Sequence, residues 1–139
     1  MVSLGMSLDI ERREREGIAL LDLKGRITMG AEVAAFREAI EAIASERGAR
    51  LILNMREVDY VDSTGLGAMV MCSSRLIRSD GVAKLVYVNR RNIELMVMTK
   101  IDTIFEVFDD ETDAVNSFFP GRETRRFDLL SFVKQMRDE

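Results

Sequence analysis

The chain has 139 residues, 47% hydrophobic and 32% charged, with nine Gly and one Pro, the balance of one soluble globular domain with a single core. Histidine is absent and the only cysteine is Cys72, which removes the commonest general base, any Ser-His or Cys-His nucleophile pair, an internal disulfide and a one-chain thiolate metal cluster. The formal net charge of −4 argues against nucleic-acid phosphates as the primary partner, since these require a basic face.

Apolar runs such as Ile18 to Leu21 and Leu51 to Leu53 fall far short of the roughly 20 residues that cross a bilayer. Met1 to Met6 carry neither a basic leader nor an apolar signal core. No membrane partner and a cytoplasmic location are therefore expected, as are the absence of cofactor and metal.

Met6, Leu8 and Ile10 alternate with polar neighbours, and a charged tip from Glu11 to Gly17 precedes the run Ile18 to Leu23. This pattern predicts a hairpin. Val33, Phe36, Ile40 and Ile43 then fall on one stripe of a helix over 31–47, which Gly48 ends. Leu51-Ile52-Leu53 reads as a central strand covered on both faces and parallel to the second strand. Glu57 to Asp62 is expected to be a loop leading to a second helix, with Leu66, Met69, Val70, Ser73, Leu76 and Ile77 on its inner side and Gly81 at its end. Cys72 lies on that helix and is expected to be a small buried apolar residue.

Lys84 to Val88 predicts another buried strand, Ile93, Met96 and Val97 a shorter helix, Ile104 to Val107 a last strand, and Glu111 to Phe119 a helix. Strands alternating with helices define an α/β domain with right-handed crossovers between parallel strands. Pro120-Gly121 breaks the chain and a polar linker follows, so residues 1–119 are expected to form the domain and 120–139 a C-terminal extension. Leu129, Phe132, Val133 and Met136 mark one apolar face of a short helix there. That face either folds back on its own domain or docks elsewhere, and a homodimer through the helix is one arrangement it allows.

The segment richest in chemistry is Asp59-Tyr60-Val61-Asp62-Ser63-Thr64-Gly65-Leu66-Gly67-Ala68, where a strand gives way to a helix. Taken alone, Ser63 reads as a helix N-cap, its hydroxyl accepting from unpaired first-turn N–H groups. No Glu or Gln stands three residues on to complete a capping box.

Asp62-Ser63-Thr64-Gly65-Leu66-Gly67 after an apolar strand resembles the signature of the STAS anti-sigma-factor antagonists. Gly25-Arg26-Ile27-Thr28, Lys84 to Asn89 and Ile104 to Glu111 resemble further segments of that family in the same order, so that the resemblance runs from about Ser7 to Phe119. It implies a single mixed sheet of parallel and antiparallel strands with helices mainly on one face. It also implies a non-enzymatic switch in transcription regulation. Ser63 is then the phosphoacceptor, with Thr64 as fallback, and Thr28, Asp59, Asp62, Thr64, Gly65, Leu66 and Gly67 are expected to meet the partner. That partner is an anti-sigma factor with a histidine-kinase-like ATPase fold, and a metal-dependent serine phosphatase reverses the modification. The chain lacks the aspartate that many members carry near Thr28, and the tail beyond Pro120 is outside the resemblance.

Three other readings compete. Gly65-Leu66-Gly67 starts like a dinucleotide-binding glycine motif, but the third position is Val70 and no P-loop sequence occurs. A serine hydrolase lacks both the histidine and the G-x-S-x-G elbow. A scaffold or accessory STAS module, in a stress-signalling or transporter complex, keeps the fold without phosphorylation.

Overall fold

The structure, a computed structural model, describes residues 8–137. Met6 and Ser7, expected at the start of the hairpin, lie outside them. The elements are β1 (Leu8–Arg15), β2 (Ile18–Ile27), α1 (Ala31–Ala44), β3 (Arg50–Val61), α2 (Ser63–Arg78), β4 (Val82–Val86), α3 (Arg90–Met98), a 3-10 turn (Ile101–Thr103), β5 (Val107–Phe108), α4 (Glu111–Asn116) and α5 (Leu129–Arg137). Five strands form one sheet in chain order, with β1 antiparallel to β2 and every other neighbour parallel.

Parallel strands laid down in sequence and joined by crossovers of one hand carry their helices on one face. Accordingly Ala19, Leu21 and Leu23 of β2, with Leu51, Leu53 and Met55 of β3, pack with Phe36, Ile40, Met69, Leu76 and Ile93 of the helices. The alternate residues Ile18, Leu20, Ile52, Val86 and Phe108 point to the opposite face, where Ala114 and Val115 of α4 cover them. Both faces of β3 are covered where Leu51 to Leu53 lie, as its unbroken apolar run requires.

Helix α1 buries Val33, Phe36, Ile40 and Ile43 but stops at Ala44, three residues short of the predicted end. Helix α2 corrects two expectations. Ile77 is 62% exposed and Cys72, not Val70, completes the buried stripe; that burial pushes the thiol up to about 12. Its C-terminus closes with Asp80 in the left-handed region, and Gly81 N–H donates to Leu76 O at 2.7 Å. The predicted loop over 57–62 is the end of β3, which stays paired with β2 through two register shifts as far as Ile27 and Val61. Conversely, the last strand is only Val107–Phe108, because Ile101–Thr103 coil into the 3-10 turn and Ile104 faces solvent.

The apolar stripe of α5 is covered within the chain. Leu129 and Val133 are buried in the main core, and Phe127 N–H donates to Val107 O on β5 at 2.9 Å. The central residues of the helix face, Leu129 and Val133, are thus occupied within the chain, while Leu130 stays 63% exposed. Among the described residues no helix is long and apolar enough to cross a membrane.

Candidate functional site

The site stands where β2 and β3 end side by side. Ile27 and Val61 are register partners, and Asp62 N–H donates to Ile27 O at 3.3 Å, so the chains leave the sheet together. The first turns into α1 through Thr28-Met29-Gly30, and the second passes straight into α2.

Asp62 is the N-cap of α2, not Ser63 as predicted. Both residue types cap well, but Asp62 has the extended backbone and the side chain that bonds the first turn. Its Oδ1 accepts from Gly65 N–H at 2.7 Å and its Oδ2 from Met29 N–H at 3.0 Å. One carboxylate therefore pins the β2–α1 loop to the start of α2. The Met29 bond first, then the Gly65 bond, hold the Asp62 carboxyl below the usual carboxylate range. An acid so committed is a poor proton acceptor.

Ser63 occupies the first helical position and is exposed. Relieved of the cap role, its hydroxyl makes no hydrogen bond among the described residues. Thr64 is half-buried, Asp59 and Gly67 are exposed, and Thr28 is half-buried with its carbonyl accepting from Val33 N–H at 3.1 Å. No acidic side chain stands in the first turn of α2.

Of the residues expected to meet the partner, Gly65 and Leu66 are the two that the fold buries. A Cβ on Gly65 would lie 1.9 Å from Ile27 O and 2.9 Å from Val61 Cγ1, so glycine is required to let α2 approach the end of β2. Leu66 belongs to the main core. Gly67 has nothing within 4 Å of a would-be Cβ and presents bare backbone outward.

Sequence reasoning missed the parts of this surface that Arg91, Asn89 and Asn92 contribute. Arg91 of α3 lies over the Tyr60 ring at 4.8 Å, and Tyr60 pairs across the strands with Arg26. Met29 is 73% exposed beside the cap. Asn89 caps α3 through Asn92 N–H at 2.9 Å, and both amides donate to Val58 O, at 2.7 and 3.0 Å. These bonds fix α3 against β3. The Asn-x-x-Asn spacing after a buried strand is a legible cap signal, whereas the Tyr60–Arg91 contact has none in sequence.

The fold and the serine-bearing turn together define a class. The STAS domain profile matches residues 9–114, and the chain belongs to the STAS domain family. It is 28% identical over 121 residues to the anti-sigma-F factor antagonist RsfB of Mycobacterium tuberculosis, covering 86% of this chain and 96% of that protein. It is 28% identical over 102 residues to the anti-sigma-B factor antagonist of Bacillus subtilis, covering 73% and 92%. The crystal structure of an anti-sigma factor antagonist from Mycobacterium paratuberculosis superposes with a TM-score of 0.69 at 19% identity, covering 80% of this chain and 93% of the other.

Proposed function

We propose that this chain is an anti-sigma-factor antagonist that binds a serine-kinase anti-sigma factor around Ser63 and is switched off by phosphorylation of that residue, thereby regulating transcription. The observation that carries the reading is the exposed, unengaged Ser63 hydroxyl at the start of α2, inside Asp62-Ser63-Thr64-Gly65-Leu66-Gly67. The names of the curated relatives support it.

In this reading the chain is a substrate and a ligand, not an enzyme. The kinase partner, of histidine-kinase-like ATPase fold, holds ATP; Ser63 Oγ forms the new P–O bond, the bond to ADP breaks, and the hydroxyl proton leaves with the partner's base. A serine phosphatase restores the hydroxyl by transferring the phosphoryl group to water. Thr64, half-buried, is the weaker acceptor. Residues 1–119 act as the switch domain, residues 120–139 as an extension, and the cycle runs in the cytoplasm.

A phosphate on Ser63 adds about −1.5 to −2 charge at pH 7. The positive dipole end of the helix favours this anion, and the fold persists. The docking surface does not stay the same. Next to Asp59 and Asp62, a bound partner meets added repulsion and the cost of stripping water from a phosphate. A loss of about 2.8 kcal/mol lowers affinity roughly 100-fold, enough for a switch.

The test incubates the protein with ATP and candidate anti-sigma kinases and locates phosphate by mass spectrometry. Modification at Ser63, abolished in Ser63→Ala, is the expected result. Phosphorylation that persists in Ser63→Ala overturns the assignment.

A further inference from the structure

Among the described residues the β1 margin of the sheet is an open edge, since β1 is the outermost strand. Glu16 and Gly17 form a two-residue turn with φ of 51° and 79°, so Arg15 and Ile18 close it as a pair exchanging both backbone bonds. By alternation Arg13 and Glu11 also bond inward to β2. The N–H and C=O groups of Glu14, Arg12 and Ile10 therefore point away from the sheet.

A two-fold axis through such an edge pairs the strand with itself in antiparallel fashion, centred on one residue. Centring on Arg13 sets Arg12 opposite Glu14 and Glu11 opposite Arg15, each pair occurring twice. The outward backbone groups of Arg12 then meet those of Glu14, as an antiparallel ladder requires. Only Arg13 faces its own copy, and its charge is already neutralised: the guanidinium holds Asp22 at 2.6 Å and Glu111 at 2.6 Å. The neighbouring registers fare worse. Centring on Glu11, Arg12 or Glu14 stacks like charges that have no such partners among the described residues. Beside the edge, a groove of about 510 Å³ between β1 and α1 is lined by Ile10, Arg12 and Glu38 with Ala35, Ala39 and Ala42, and the three alanines leave room for the side chains of a second strand.

We propose that the chain pairs with a second copy of itself, edge to edge through β1 with Arg13 on the axis, joining the two sheets into one. The contact is independent of the Ser63 surface, so it stands or falls apart from the phosphorylation reading.

Sedimentation equilibrium of the full chain tests it. A concentration-dependent dimer is expected. Arg12→Glu and Glu14→Arg each place like charges opposite and weaken association roughly tenfold, and the double variant Arg12→Glu/Glu14→Arg restores it. Because the double variant must fold to dimerise, rescue separates pairing from misfolding. Under oxidising conditions Arg13→Cys links two copies, since directly opposed residues that do not share backbone bonds have Cα atoms about 4.5 Å apart, within disulfide reach. Glu11→Cys, opposite Arg15, does not. A monomer at every concentration, a dimer indifferent to charge reversal, or equal cross-linking at positions 11 and 13 overturns the proposal, and so does a dimer abolished only by removing residues 120–139.

Discussion

Replacing Gly65 by alanine, and separately Gly67, makes the same chemical change two residues apart on one helix, and the structure assigns the two opposite signs. At Gly65 the new methyl falls 1.9 Å from Ile27 O and 2.9 Å from Ile27 C and Val61 Cγ1. Restoring ordinary contact moves the start of α2 by about 1.5 Å, against backbone that cannot yield. That displacement strains both Asp62 bonds, to Gly65 and to Met29. Overpacking of this kind costs about 1–3 kcal/mol and a lost cap about 1 kcal/mol, while alanine returns about 1 kcal/mol of helix propensity. The net expectation for Gly65→Ala is a loss of about 2 kcal/mol, which for a domain of this size lowers Tm by about 6–10 °C. At Gly67 nothing lies within 4 Å of the new methyl, so only the propensity gain remains and Gly67→Ala raises Tm by a few degrees, on the order of 1 kcal/mol. Urea titrations followed by far-UV circular dichroism measure both. Equal effects of the two substitutions, or a neutral Gly65→Ala, refute the claim that Gly65 is required by the approach of α2 to Ile27.

The Asp62 carboxyl is held below its unfolded value by the Met29 and Gly65 N–H groups, so its stabilisation is complete above about pH 4 and disappears as pH falls through the folded value. Asp62→Asn keeps an acceptor for Gly65 but offers nothing reliable to Met29. Its stability should therefore fall less steeply than the parent's below about pH 4, read from urea midpoints at stepped pH; identical acid limbs contradict the pinning role. Deleting residues 120–139 removes the buried Leu129 and Val133 and the Phe127 bond to β5. Each aliphatic burial is worth about 1.5–3 kcal/mol before the cost of ordering the segment, so a net loss of about 2–3 kcal/mol with an unchanged state of association is expected, and an unchanged melting temperature refutes the bracing role.

The sequence showed most where burial is periodic. Val33, Phe36, Ile40 and Ile43 marked the inner face of α1, and Leu51 to Leu53 marked a strand covered on both sides. It showed least where tertiary contacts override local pattern. Asp59 and Tyr60 look like loop residues, yet pairing with β2 extends β3 past them. Asp62 and Ser63 are equally good caps by type, and the choice between them depends on Met29 N–H, a distant partner. Gly65 resembles a flexible residue in a glycine-rich motif, whereas its constraint is the Ile27 carbonyl, which no local window contains. Ile77 follows the helical period but faces solvent, because the core is satisfied by Cys72 and Leu76.

The Phe127 N–H bond to Val107 has a bearing on assembly size. With β5 reduced to two residues and plugged from the side by the returning chain, strand addition can proceed from one flank alone. Growth through that flank consumes it, so accretion terminates at a closed pair instead of propagating into a fibre.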